Sequence, residues 1–469
     1  MFIGRTNELE NLNKRYYGGK FEFAIIYGRR RVGKTTLINE FTKNKETVFY
    51  TGIEGNKREN LEGLSKSIYS LSLDFADASL SFSGYQEALE TMFQISEKRR
   101  IVFVIDEYPY LAGSYQSISS VLQVLVDKNK HLSKMFLILC GSSLSFMEEQ
   151  VLGYQSPLFG RRTCQFKILP FEFFEATRFF TKFNSTDLAT VYGITGGVPL
   201  YLSLMDDCLS VEKNIKNNFL EPNAYLFEEP TNLIKQECRE PAQYNSIIKA
   251  IATGASKMSE ICSKTSIDSS LATSYLGKLI SLGIVKKEKP FGRSNARKAI
   301  YVLEDSMFRF WYRFIPDNIA AINRRLTDSV YQKIDISAFM GGVFEEICKQ
   351  YLWELNRRNK AALPFTNLGR WWGSDPKKKQ EAKIDIMGAH DNNEALFGEC
   401  KWTNEKVGVA TLADLVYKSK LFNYAECHYY LFSKTGFTKE VLAEASLCNN
   451  INLVDLEDIM NFASHHALC

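Results

Sequence analysis

The run Gly28-Arg29-Arg30-Arg31-Val32-Gly33-Lys34-Thr35 has the residue types and spacing to hold a chain of phosphates. Backbone N–H groups must curl round a phosphate, glycines permit that curl, and a helix starting at the end of the loop presents its positive dipole end. Lys34 would bridge the terminal phosphates, the Thr35 hydroxyl would ligate magnesium, and the stretch from Gly28 to Thr36 would form the ATP-binding loop. Such a loop needs an acid at the end of a companion strand. Asp106-Glu107 ends the apolar run 101–105: Asp106 would hold the magnesium through water, and Glu107 would polarise the attacking water. Gly141-Ser142-Ser143 follows a second apolar run, 135–140, so Ser142 or Ser143 could sense the terminal phosphate where α/β sheets collect their ligands. Arg161 could stabilise transition-state charge within the chain or across an oligomer interface, and a surface salt bridge accounts for it equally well.

A second constellation lies far downstream. Alternation along a strand puts Glu399 and Lys401 on one face, and the run 381–387 can bring Asp385 to them across a hairpin. Asp385 and Glu399 could share a magnesium that generates hydroxide, while Lys401 steers the nucleophile or stabilises developing phosphorane charge. A helix over 339–355, with Phe344, Ile347, Tyr351 and Leu355 inward, leaves Glu345 or Glu346 beside that face.

These residues require strands and helices to position them. Runs 101–105 and 135–140 are apolar without interruption, as expected of parallel strands buried on both faces, and the run 23–27 stands in the same relation to the phosphate loop. Residues 243–304 change character. Apolar positions Ile247, Ile248, Ile251 and Ala252 mark one short helix. Met258, Ile261 and Cys262 mark a second, and Leu271, Tyr275, Leu276, Leu279 and Ile280 a third, capped by Asp268. The runs 284–287 and 299–302 would pair as a hairpin with residues 290–297 at its tip. Three short helices and a β-wing look like a winged helix-turn-helix, whose third helix would offer Ser269, Ser270, Thr273, Ser274 and Lys278, and whose wing would offer Lys289, Arg293, Arg297 and Lys298, to DNA phosphates. A protein-binding module is the alternative use of the same surface.

The ordered set Phe2-Ile3-Gly4-Arg5 with Glu8-Leu9, the phosphate loop, Ile105-Asp106-Glu107, Gly141-Ser142-Ser143 and Gly196-Gly197-Val198-Pro199 resembles the archaeal-type ATPases, relatives of the AAA+ and STAND nucleoside triphosphatases. The resemblance covers about the first half of the chain. It implies an αβα ATPase core with a helical lid, the Gly-Gly-Val-Pro turn lying near the nucleotide. The Asp385…Glu399-x-Lys401 arrangement resembles the PD-(D/E)XK nuclease superfamily, which implies an αβββαβ, restriction-endonuclease-like core and makes Glu345 the helix glutamate and a third metal ligand. The layout as a whole, including Trp371-Trp372-Gly373 and Glu399-Cys400-Lys401-Trp402, resembles archaeal-type ATPases whose C-terminal domain has no assigned role. The domains expected are an ATPase domain over 1–205, a helical lid or linker over 206–242, a winged helix-turn-helix over 243–305, a helical connector over 306–335 and a nuclease-like domain over 336–469.

Composition limits the alternatives. A chain of 469 residues with 45% hydrophobic and 24% charged residues reads as a soluble, multidomain α/β protein. No apolar run approaches the ~20 residues that cross a bilayer, and no signal peptide is evident. Ten scattered cysteines without a Cys-x-x-Cys pair fit a reducing cytoplasm. A net charge of +4 does not by itself demand nucleic acid. ATP and magnesium are the expected cofactors and DNA the expected partner, with a homo-oligomer or a protein partner also open. The rival reading is a STAND-like switch in which nucleotide controls assembly and the nuclease fold is inactive.

Overall fold

The computed structural model describes residues 2–71, 81–292, 298–390 and 393–464. The chain divides into two compact units. One comprises Met1–Phe171 with Val198–Leu200, and the other Glu172–Gly197 with Tyr201–Cys469.

The first unit is built on β1 (Glu22–Tyr27), β2 (Thr47–Thr51), β3 (Val102–Asp106), β4 (Phe136–Gly141) and β5 (Cys164–Lys167). Every pairing is parallel and the order is β2-β3-β4-β1-β5. Helices cover both faces, so alternate residues of one strand enter different cores. Phe23, Ile25 and Tyr27 join Phe103, Ile105, Leu137 and Leu139 on one side. Ala24 and Ile26 join Val102, Val104, Ile138 and Cys140 on the other. That double burial makes these strands continuous apolar runs, each fully buried Ile or Phe adding about 1.5–3 kcal/mol. The order has a chemical consequence: β4 lies between β1 and β3, so the residues after Gly141 stand between the loop that follows β1 and the acids that end β3.

The second unit carries a two-stranded antiparallel ribbon, β6 (Val285–Glu288) with β7 (Ile300–Leu303), preceded by helices Pro241–Ala252, Met258–Thr265 and Ser269–Ser281. Asp268 caps the last of these by accepting from the amides of Ser270 and Leu271. Leu276 and Leu279 are buried, but Leu271 and Ile280, marked by periodicity, are 51% and 39% exposed. The helix is too short and too small in contact area to bury more than one face. Arg293 and Arg297, expected at the wing tip, lie outside the described residues.

Beyond the helix Ile336–Arg357 comes a mixed sheet of β8 (Asn367–Asp375), β9 (Gln380–Ala389), β10 (Glu394–Lys401), β11 (Glu426–Ser433) and β12 (Ile451–Asp455), ordered β12-β11-β10-β9-β8. The β8-β9-β10 meander is antiparallel, and β10-β11-β12 is parallel through the helices Val409–Ser419 and Lys439–Leu447. Strand β8 is bulged between Gly369 and Trp371.

Candidate functional site

The phosphate loop connects β1 to the helix Lys34–Thr42. Gly28 is required by close approach, since a Cβ there would lie 2.3 Å from the Ile168 carbonyl oxygen. Gly33 takes φ 86°, in the left-handed region where a side chain is strained. Lys34 is 6% exposed and donates to the carbonyls of Gly28 and Arg29, both at 2.9 Å. Burial pulls its pKa down, opposed by Cys140, Glu107 and Asp106. The ammonium therefore sits inside the loop, where a phosphate would replace the carbonyls as its partner. Thr35 and Thr36 open the helix with exposed side chains, and Val32 is buried beneath the loop.

Thr35 Oγ1 donates to Asp106 Oδ2 at 2.9 Å. A hydroxyl and a carboxylate from separate elements thus converge where a triphosphate-bound cation would take its protein ligands. Glu107, the next residue, is held at φ 47°, a left-handed conformation that costs a non-glycine residue about 1–2 kcal/mol. Its Oε2 accepts from Ser142 Oγ at 2.8 Å, the contact that the strand order allows. Cys140 lies behind, its thiol pushed well up by burial and by Asp106.

Further groups brace the loop. Arg30 donates to the Tyr110 hydroxyl at 2.9 Å. Arg5, 6% exposed at φ 59°, donates to the Val32 carbonyl at 3.3 Å and to the Leu169 carbonyl, and its guanidinium lies 4.4 Å from the Phe171 ring centre. Arg29 and Arg31 are partly exposed, and Arg31 has φ 72°. Pro199, of the Gly-Gly-Val-Pro turn, comes within 3.7 Å of where a Gly33 Cβ would stand.

Arg161 is not brought to this site. Its Nε and Nη2 are held by the Asp127 carboxylate at 2.7–3.1 Å. Two residues on, the Thr163 amide bonds Phe23 at the start of β1, the sheet edge opposite the loop. Within the chain it makes the salt bridge, one of the two accounts the sequence allows.

In the second unit, extending the β9-β10 register places Asp385 opposite Glu399. The ladder stops at the Gly398 and Ile386 pair, one residue short. There the strands part, and Asp385 Oδ2 accepts the Cys400 amide at 3.1 Å. Lys401 Nζ lies 2.6 Å from Glu399 Oε1. Burial and then Asp385 raise the Glu399 pKa, against Lys401 and Lys418. Lys401 loses by burial, but Glu399 and Asp385 outweigh that and hold its ammonium above the usual lysine value.

Glu345 is 8% exposed and reaches the same region from its helix, but two cations already claim it. Lys383 Nζ is 3.1 Å from Glu345 and 2.9 Å from Asp385, and Arg370 Nε is 2.7 Å from Glu345. The expected trio Glu345, Asp385 and Glu399 does not close round one point: among the described residues, the three such groups within reach of a single ion are the loop residues Asp206, Asp207 and Cys208. Lys383 stands where Glu345 would meet Asp385. Both cations escaped the sequence reading. Lys383 could have been found, since alternation puts it on the face of Asp385. Arg370 could not, because the bulge re-aims it.

Residues 2–205 match a family described as an ATPase domain predominantly from Archaea. Residues 311–412, which include Glu345, Arg370, Lys383, Asp385, Glu399 and Lys401, match a family described as archaeal and bacterial proteins of unknown function. The chain is 32% identical over 446 residues to the uncharacterized protein MJECL04 of Methanocaldococcus jannaschii, covering 94% of this chain and 97% of that one. It is 50% identical over 46 residues to the uncharacterized ATP-binding protein MJ0423 of the same organism, 10% of this chain and 78% of that one. The Walker-type ATPase paby2304 of Pyrococcus abyssi shares the fold at TM-score 0.51 and 18% identity, over 66% of this chain and 96% of that structure. With its parallel sheet, phosphate loop and separate C-terminal sheet, the chain belongs to the archaeal-type ATPases that carry this C-terminal domain, and it is an ATPase.

Proposed function

We propose that the protein hydrolyses ATP with magnesium, works on DNA, and carries in its C-terminal sheet a metal-dependent centre that cleaves phosphodiesters. The observation that supports the second half is that the β9-β10 register, extended by one residue past its last pair, sets Asp385 opposite Glu399, which holds the Lys401 ammonium at 2.6 Å.

At the ATP site, Thr35 and Asp106 would hold magnesium, which when bound neutralises charge on the phosphates. The amides from Gly28 to Thr36 cradle the phosphates, and Lys34 exchanges the Gly28 and Arg29 carbonyls for them. Glu107, released from Ser142, orients the attacking water and accepts its proton.

In the C-terminal sheet, Asp385 and Glu399 would hold a divalent ion, which when bound lowers the pKa of a coordinated water. Lys401 positions the nucleophile or meets the charge that develops on phosphorus. Glu345 joins the pair once Lys383 and Arg370 let it go. Residues 243–305 act as a winged helix, with the exposed Ser269, Ser270, Thr273 and Ser274 toward DNA phosphates. The five-part division at 205, 242, 305 and 335 follows, in a protein of the reducing cytoplasm. No helix among the described residues is long and apolar enough to cross a membrane.

A second reading, a nucleotide-controlled assembly switch with an inactive nuclease fold, is favoured by one group of contacts. The Phe291 amide donates to the Arg370 carbonyl at 2.8 Å, and Trp372 Nε1 donates to the Lys298 carbonyl at 3.2 Å. The ribbon is thereby used inside the chain. The two readings separate in one assay: ATP turnover stimulated several-fold by added DNA supports the first, and turnover indifferent to DNA supports the switch.

A further inference from the structure

The second unit contains an open cavity of about 580 Å³ lined by residues 286–292 of the β6-β7 ribbon, the helix Ile336–Arg357 and β8. That volume lies in the range of small-molecule sites. Its lining combines planar apolar surface with positive charge, faced by the carboxylates Glu172, Glu288 and Glu346. Phe291 and Trp353 supply the first, and Trp353 is steadied edge-on by Phe365, ring centres 4.9 Å apart. Lys286, Lys349 and Arg370 supply the second.

Two of these cations have a close carboxylate partner, Lys286 at 2.9 Å from Glu288 Oε1 and Arg370 Nε at 2.7 Å from Glu345, and the remaining contacts are longer. Glu346 serves Lys286 at 3.7 Å and Lys349 at 3.5 Å, and Arg370 reaches Glu288 only at 3.6 Å. Charge-assisted hydrogen bonds run at about 2.7–2.9 Å, so a phosphate oxygen would improve on the 3.5 Å partner of Lys349 and on the longer second contacts of Lys286 and Arg370. Glu288 Oε2 is buried without a hydrogen-bond partner. An acceptor left over on an aromatic-walled cavity suits the amino or imino edge of a base.

Resting on the reading of a phosphodiester centre in this domain, we propose that the cavity binds one unpaired nucleotide unit: the base against Phe291 and Trp353, the phosphate toward Lys286, Lys349 and Arg370. Arg370 also holds Glu345, and Glu345 meets Asp385 through Lys383. A nucleotide lodged here draws Arg370 toward its phosphate and loosens its hold on Glu345. A duplex keeps its bases stacked and paired, so the substrate class is a single strand, a flap or a frayed end.

The test is fluorescence anisotropy of a labelled oligothymidylate on the full-length protein, with chelator present and ADP in excess to fill the phosphate loop. Wild type should bind the strand, and Trp353→Ala and Phe291→Ala should each weaken binding about tenfold, since a base stacked on an aromatic ring contributes about 1–3 kcal/mol. Trp353→Phe should restore most of the affinity, which a folding defect does not explain. Competition by thymidine monophosphate assigns the site to a free nucleotide, whereas resistance to it with strand binding intact assigns the site to a nucleotide within a strand. Wild-type affinity in both alanine variants overturns the proposal, as does equal affinity for a closed duplex. Binding without cleavage in magnesium leaves the pocket standing and removes the cutter.

Discussion

At the scale of single residues, the ATP site is a set of mutual restraints. Lys34, Thr35, Asp106, Glu107 and Ser142 are tied to one another or to the loop, and each tie occupies a group to which the proposed mechanism gives a role. Lys34→Ala should weaken ATP binding and turnover together. Glu107→Gln keeps the shape and loses the base, so it should bind ATP yet hydrolyse it about 10²–10⁴-fold more slowly, which single-turnover measurements would detect. A wild-type rate in Glu107→Gln refutes the assignment. Arg5 is tested separately. It spans the Val32 and Leu169 carbonyls, so Arg5→Ala should cost about 1.5–3 kcal/mol in denaturant unfolding and weaken ATP binding, and Arg5→Lys should restore little, because one ammonium does not reproduce a planar fork. At the second site, burial and Asp385 raise the Glu399 pKa. Metal ligation requires the deprotonated form. Manganese affinity should therefore decline on acidification at a pH above that at which an ordinary glutamate titrates, and calorimetry across that range would show it.

At the scale of elements, the β6-β7 ribbon is the informative piece. On either side of residues 293–297 it is fastened to β8, by the Phe291 amide to Arg370 and by Trp372 to the Lys298 carbonyl. Trp372→Phe keeps an aromatic ring, though a smaller one, and loses the donor, so it should cost at least about 0.5–1.5 kcal/mol and open the ribbon to limited proteolysis; unchanged stability and cleavage pattern would show the fastening to be incidental. The central strands were readable because burial on both faces leaves a continuous apolar signature. The β9-β10 hairpin was readable because alternation alone sets Glu399 and Lys401 together. Strand β8 was not, because its bulge breaks the alternation and puts Arg370 where no period predicts. Leu271 and Ile280 misled for the opposite reason: they keep helical spacing on a face that nothing in the described residues covers.

At the scale of the whole molecule, the two compact units carry the two candidate phosphate sites, a glycine loop in one and the carboxylates Asp385 and Glu399 in the other. The loop was legible because its geometry demands particular residues at fixed spacing. The second candidate site was legible only in part, since the acids with Lys383 and Lys401 follow a short alternating pattern while Arg370, which holds Glu345, comes from the bulged strand β8. The central claim is that the second site cuts DNA. The most direct measurement is cleavage of single-stranded and plasmid DNA by the full-length protein in magnesium or manganese, run beside Asp385→Ala and Lys401→Ala, with metal binding followed by calorimetry. The account predicts metal-dependent cleavage by wild type, none by either variant, and metal binding that survives in Lys401→Ala but is weakened in Asp385→Ala. Cleavage undiminished in Asp385→Ala, or no cleavage by wild type with no metal bound beyond the ATP site, would contradict it.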